Sequence, residues 1–165
     1  MNNIHPTAII GENVILGDNN YIGPYCIIGY PAEHKKYWGT TVGQVVIGDN
    51  NVITGLVTID AGTERATQIG NNNWFMKHSH VGHDCIIHDD VIISPGVKIG
   101  GHTTIGNRTN IGLNATIHQK IDVPEGIMIG MNAVITKKTE LLAFHKYVGV
   151  PARNIGENLY AKNHR

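Results

Sequence analysis

Apolar residues recur at every sixth position of this chain, and few folds can use that period. The series runs Ile4, Ile10, Leu16, Ile22, Ile28, resumes at Ile47, Ile53, Ile59, and then continues from Ile69 through Phe75, Val81, Ile87, Ile93, Ile99, Ile105, Ile111, Ile117, Val123 and Ile129 to Ile135. A six-residue period does not match the 3.6-residue turn of an α-helix, and the richness in Asn and Gly opposes helix further. It does match short β segments joined by corners. The next residue of the unit is often Gly, as at Gly11, Gly17, Gly23, Gly48, Gly70, Gly100, Gly106, Gly112 and Gly130. The fifth is small or β-branched, as at Ala8, Val14, Cys26, Cys85, Val97, Thr103, Ala115 and Ala133. One bulky and one small side chain therefore point inward from each unit, and three units close one triangular coil. Stacked coils bury a continuous apolar column, so the expected fold is all-β, a parallel β-helix.

The repeat fills residues 1–136, and 137–165 form a short C-terminal tail. Within the tail, only residues 137–147 look able to form a helix, and VGVPARNIG reads as extended. The two cysteines, Cys26 and Cys85, occupy core slots of the repeat and have no metal-knuckle or redox spacing, so they are expected to be reduced core filler in a cytoplasmic protein. Acidic and basic residues balance at 13 each, which argues against nucleic acid or an anionic membrane as partner. The start, MNNIHPTAII, lacks a secretory pattern, and no stretch is apolar enough to span a bilayer. Lys137, Lys138, Lys146 and Arg153 gather in the tail, either as a solvated end or around a phosphate-bearing ligand.

The repeat breaks twice. Between Ile28 and Ile47 there are 13 extra residues, and between Ile59 and Ile69 there are four. Counted in threes, Ile28, Ile59, Val81, Ile99, Ile117 and Ile135 share one face, so the insertions near 29–46 and 60–68 both leave from it. Loops that interrupt a solenoid on one face mark its working side. Asp60, His83, His102 and His118 belong to that same face in successive coils. Gly101 occupies the slot of His83 one coil later, which leaves room beside the imidazole and turns a backbone N–H towards it. A neutral imidazole is a suitable general base near neutral pH, and a backbone N–H can stabilise an oxyanion. Asp60 or Asp84 is expected to orient the ring. His78, His80 and His83 also lie close enough in sequence to raise a zinc site, although His78 and His80 flank a corner and need not converge with His83.

The segment MKHSHVGHDC (residues 76–85) resembles the active-site stretch of the UDP-N-acetylglucosamine O-acyltransferases of lipid A synthesis. IHPTAIIG, the spacing of the first loop through Lys36, VTIDAGT, GGHTTIG and ATIHQ extend the resemblance over roughly residues 4–135. The resemblance implies a left-handed coil and a homotrimer with active sites between subunits. It places His83 on the general base with Asp84 beside it, and Gly101 on the oxyanion donor. His80, His102, His118 and Gln119 fall on positions lining the sugar-nucleotide and acyl pocket, and Lys36 on a basic loop residue that reaches the substrate. Departures are instructive. His34 replaces a carboxylate that contacts the sugar, and Asp60 replaces a histidine. Met131 stands where a small residue admits a long acyl chain, which points to a short acyl group. The chain ends soon after the β-helix, without the family's helical domain for acyl carrier protein, and GVPAR resembles the end of acetyl-CoA-dependent hexapeptide enzymes.

The expected function is therefore transfer of a short acyl group from a thioester to a hydroxyl or amine of a nucleotide-linked sugar. Acyl-CoA, above all acetyl-CoA, is expected as donor ahead of acyl carrier protein, with no metal. The alternatives are a zinc enzyme like the γ-class carbonic anhydrases, whose Arg and Asp set is not found here, and a non-catalytic β-helix scaffold.

Overall fold

A computed structural model describes residues 1–38 and 43–163. Of the first insertion, residues 39–42 lie outside the described residues. The chain winds as a three-sided parallel β-helix. Its first face is a nine-stranded sheet, its second a seven-stranded sheet and its third a six-stranded sheet, each built from every third strand of the coil, with two tail strands added at the end of the first. Most strands are two residues long because a corner follows each hexad, for example His80–Val81, Lys98–Ile99 and Thr116–Ile117 on the second face. Register is set by the period. Val81 pairs with Ile59 on one side and Ile99 on the other, so like residues stack on like.

The inward column is what the six-residue pattern requires. Ile22, Ile53, Phe75, Ile93, Ile111 and Ile129 fill the first face; Ile28, Ile59, Val81, Ile99, Ile117 and Ile135 the second; Ile47, Ile69, Ile87, Ile105 and Val123 the third, all buried. Cys26 and Cys85 are free and buried in the same core. Burial pushes the Cys85 thiol up to about 12, and it donates to the carbonyl of Gly100 at 3.3 Å, so it is an inert space-filler.

Polar residues do the stacking at the corner between third and first faces. Asn20, Asn51 and Asn73 are buried one above another. The Asn20 Oδ1 accepts from the N–H of Asn51 at 2.8 Å, the Asn51 Oδ1 from the N–H of Asn73 at 2.9 Å, and the Asn73 Oδ1 from the N–H of Val91 at 2.7 Å. The ladder satisfies backbone donors that the corner removes from the sheets.

The tail differs from the helix expected over 137–147. That segment runs as turns into strand His145–Val148, which pairs antiparallel with Arg153–Glu157; the helix comes later, at Leu159–Asn163. Packing overrides local propensity here. Tyr147 pairs with Ile129, is fully buried and continues the apolar column, while Leu141 packs against the core. The Tyr147 hydroxyl accepts from the N–H of Leu142 at 2.7 Å, which holds the segment in its turn. Among the described residues, no helix is long and apolar enough to cross a membrane.

Candidate active site

Both insertions leave the second face at its corner with the third, as the repeat count places them. The first follows strand Ile27–Tyr30 and the second follows Thr58–Asp60. In the next coil, without any insertion, the same corner carries His83 and Asp84; in the one after, Gly101 and His102. The two loops meet beside these residues: the Tyr37 hydroxyl donates to the Glu64 carboxylate at 3.3 Å, and the Lys36 Nζ donates to the Tyr37 hydroxyl at 3.2 Å. That contact with Tyr37 also raises the Lys36 pKa.

The centre of the arrangement is a dyad. The Nδ1 of His83 donates to Oδ2 of Asp84 at 2.5 Å, with Asp84 fully buried and His83 nearly so. Asp84 is a heavily hydrogen-bonded carboxylate. Its Oδ1 accepts from the backbone N–H groups of Thr63, Glu64 and Arg65 at 3.0, 2.8 and 2.7 Å, and its Oδ2 accepts from the Thr63 hydroxyl at 2.7 Å. Successive N–H groups converging on an anion form a nest. The four extra residues of the second insertion thus wrap a carboxylate from the following coil. Burial pushes the Asp84 carboxyl up, but the Thr63 hydroxyl, the Arg65 N–H, His83 and the Glu64 N–H outweigh it and hold the group well below the usual carboxylate range. An ionised Asp84 keeps the proton of His83 on Nδ1 and leaves Nε2 as the ring's acceptor.

That free nitrogen faces Gly101. A Cβ built on Gly101 would stand 2.8 Å from His83 Nε2 and 3.0 Å from Cε1, so only glycine leaves this space open. The backbone also links the two coils, since the N–H of His102 donates to the carbonyl of His83 at 2.9 Å. His102 stacks edge-on to His83 with ring centroids 5.0 Å apart, and its Nε2 lies 3.7 Å from Asp84 Oδ2. On the other side His34, from the first loop, approaches His83 edge-on at 5.7 Å.

The second carboxylate takes a different role from the one expected of it. Asp60 does not bond His83; its Oδ2 lies 3.8 Å from Nε2 of His80, whose Nδ1 shares a 2.8 Å hydrogen bond with the Thr58 hydroxyl. Burial raises the Asp60 pKa, against the pull of His80 and of the Glu33 N–H. Asp60 and His80 line a cavity of about 570 Å³ with Tyr30, Glu33, Trp38 and Lys98.

One chain therefore gathers His34, Asp60, His80, His83, Asp84, Gly101 and His102, with Lys36 at the rim. It does not gather the others. His118 and Gln119 lie at the same corner one coil beyond Gly101, are exposed, and interact with each other through the His118 Nδ1 and the Gln119 carbonyl at 2.9 Å. Met131 is 67 % exposed at the corner between the first and second faces, away from the corner of His83. His118 instead lines a basic cavity of about 630 Å³ with Lys137, Lys138, Pro151 and Arg153.

The triple His78, His80 and His83 does not converge on a metal. His80 is turned to Thr58 and Asp60, and His78 sits in the left-handed conformation of its corner with φ 62°. Among the described residues the one group with metal-ligand spacing is His83, Asp84 and His102. Its carboxylate fits a metal poorly, because both oxygens are already taken by donors. Sequence reading missed Thr63, Glu64 and Arg65, although Thr63 lies inside the VTIDAGT motif and inside an insertion; the sign was present, but the partner of that loop was not.

Residues 66–101, which contain the dyad and Gly101, match the bacterial transferase hexapeptide (six repeats) family. The acyl-[acyl-carrier-protein]–UDP-N-acetylglucosamine O-acyltransferase of Aliarcobacter butzleri is 36 % identical over 62 % of this chain and 54 % of its own length. The protein of the same name from Gloeothece citriformis is 44 % identical over 54 % of this chain and 33 % of its own length. The chain thus spans from a third to about half of these curated relatives. Their names specify acyl carrier protein, which overturns the expectation of acetyl-CoA as the favoured donor. Among solved structures, the UDP-N-acetylglucosamine O-acyltransferase of Moraxella catarrhalis superposes with a TM-score of 0.81 at 30 % identity, covering 98 % of this chain and 77 % of that one. The UDP-N-acetylglucosamine acyltransferase of Bacteroides fragilis gives 0.93 at 30 % identity, over 99 % and 64 %. Repeat, fold and overall superposition agree, and the chain belongs to the left-handed β-helix family of UDP-N-acetylglucosamine O-acyltransferases.

Proposed function

We propose that the protein transfers an acyl group from an acyl carrier protein thioester to a hydroxyl or amine of a UDP-linked sugar. The observation that carries the reading is the His83 imidazole, fixed at Nδ1 by a buried carboxylate and presenting Nε2 to the open space at Gly101. An acceptor bound there gives its proton to Nε2 as its oxygen or nitrogen attacks the thioester carbonyl. The Gly101 N–H then meets the developing oxyanion. The carbon–sulfur bond breaks, and the imidazolium returns the proton to the departing thiolate. Asp84 orients the ring and stabilises the imidazolium that forms.

Sugar recognition falls to the loops. His34 and Lys36 stand at the mouth, and His80, Asp60 and His102 line the walls. The basic cavity of His118, Lys137, Lys138 and Arg153 continues the same corner, roughly 5–15 Å beyond Gly101 at one coil spacing per layer, and suits the anionic arm of the donor or the diphosphate of the acceptor. Gln119 stands beside it. The exposed Met131 lies away from the corner of His83 within one chain, and a homotrimer with sites between subunits would let a second copy bring it to the acyl pocket, where its bulk favours a short acyl chain.

The test is thiol release from acyl carrier proteins loaded with acyl groups of graded length, using UDP-N-acetylglucosamine and its amino analogues, beside His83→Ala. Release that depends on acceptor and vanishes in the variant is expected. No release with any pair of substrates overturns the reading.

A further inference from the structure

We infer that Thr63 is a positioning residue that sets the basicity of His83 through Asp84. The inference rests on the proposed general-base role, and it names a group to which neither the expected site nor the family relationship assigns a part.

The carboxylate oxygens of Asp84 divide their work. Oδ1 is held by three backbone N–H groups of the second insertion, which no side-chain substitution removes. Among the described residues Oδ2 accepts hydrogen bonds from two side chains, the Nδ1–H of His83 at 2.5 Å and the Thr63 hydroxyl at 2.7 Å, with His102 Nε2 farther off at 3.7 Å. A hydroxyl that donates to the same oxygen withdraws negative charge from it and weakens its hold on the imidazolium. Thr63 therefore competes with the imidazole for Oδ2 and loosens the pull of that oxygen on the Nδ1 proton. It also fixes the direction of Oδ2, because a carboxylate held on both oxygens cannot rotate away from the ring.

Other charged groups around His83 act from fixed positions and do not replace this contact. His34 faces it from the first loop, Asp60 from the preceding coil and His102 from the following coil. Glu64 and Arg65 lie in the second insertion with Thr63, and the Arg65 Nε is occupied by the carbonyl of Asp84 at 2.8 Å. Among the described residues Thr63 is the hydroxyl donor whose removal changes the charge on Oδ2 without touching the imidazole or the net charge of the site.

The experiment compares Thr63→Val and Thr63→Ser with the unmodified protein. The His83 ring is titrated by ¹⁵N NMR, and kcat/KM is measured against pH. In Thr63→Val the His83 titration should move up by about half a unit to one unit, and the acid limb of kcat/KM should move up with it. Activity near the limb then falls about three- to tenfold, with KM little changed. Thr63→Ser should return both curves to their original place. Superposed titrations in Thr63→Val, or a serine variant that behaves like valine, overturn the assignment, as does a lowered plateau with an unmoved limb. If the valine variant does not fold, Thr63→Ala is read in the same way. The NMR titration needs no turnover, so failure of the acyl-transfer reading would show as absent thiol release while the ring titration still decides the role of Thr63.

Discussion

Two corners of the same coil solve the same backbone problem with different residues. At the corner between third and first faces, buried Asn20, Asn51 and Asn73 hand hydrogen bonds from coil to coil, and left-handed positions there fall mostly to Asn19, Asn50, Asn72 and Asp90, which tolerate that conformation. At the corner between second and third faces the left-handed positions are Asp84, His102 and Lys120. His and Lys give up backbone ease there, at roughly 1 kcal/mol each. No asparagine ladder runs through this corner among the described residues; a carboxylate nest, a histidine cluster and two inserted loops take its place. The first corner holds the solenoid together, and the second uses that rigidity to present an imidazole.

The sharpest test of this division is His83→Ala. It should lower acyl transfer by on the order of a hundredfold or more, while thermal unfolding followed by circular dichroism stays within a few degrees of the parent. A large loss of stability would mean that the second corner also carries the fold. Asn51→Ala is the converse experiment. It deletes donors to Asn20 Oδ1 and the Gly70 carbonyl and strips the N–H of Asn73 of its acceptor. A destabilisation of about 2–3 kcal/mol in urea is expected, with turnover per folded molecule unchanged. Gly101→Ala comes next. Its Cβ would collide with the His83 ring, so kcat should fall roughly tenfold, near 1.4 kcal/mol in barrier, with stability nearly intact.

The smallest effect separates the two carboxylates of the site. Asp84 is depressed, so its stabilising contribution is present above the carboxylate range of the unfolded chain, near pH 4, and is lost as pH falls through the lower folded value. The stability gap between the parent and Asp84→Asn should therefore narrow on acidification below about pH 4. Asp60 is raised, so its ionisation weakens the folded state as pH rises through the folded value. Asp60→Asn should leave stability unchanged or slightly higher at neutral pH. Equal pH dependence in both variants would erase the distinction between an orienting carboxylate and one left facing a cavity.

Much of this was readable in the chain. Twelve consecutive hits of a six-residue period, Ile69 to Ile135, leave one architecture, because stacked corners return every third hexad to the same face. Counting in threes placed both insertions, His83, Gly101 and His102 at one place without any structure. Pairings inside that place were less readable. Asp60 and Asp84 were equal candidates to hold the ring, since register brings both near it and only side-chain direction separates them. Thr63 gave no sign of its partner, because an inserted loop has no period to count.

What the sequence by itself determined is everything periodic: the coil, the register, the apolar column and the corner at which both insertions and His83 fall. The tertiary structure alone decided which carboxylate bonds His83, that the second insertion folds back on Asp84, and that residues 137–147 end the column through Tyr147 instead of forming a helix. The reason is physical. A repeat repeats its contacts, so its spacing predicts them, whereas an insertion or a chain end meets whatever surface the finished coil presents, and its conformation follows from packing and unpaired donors there.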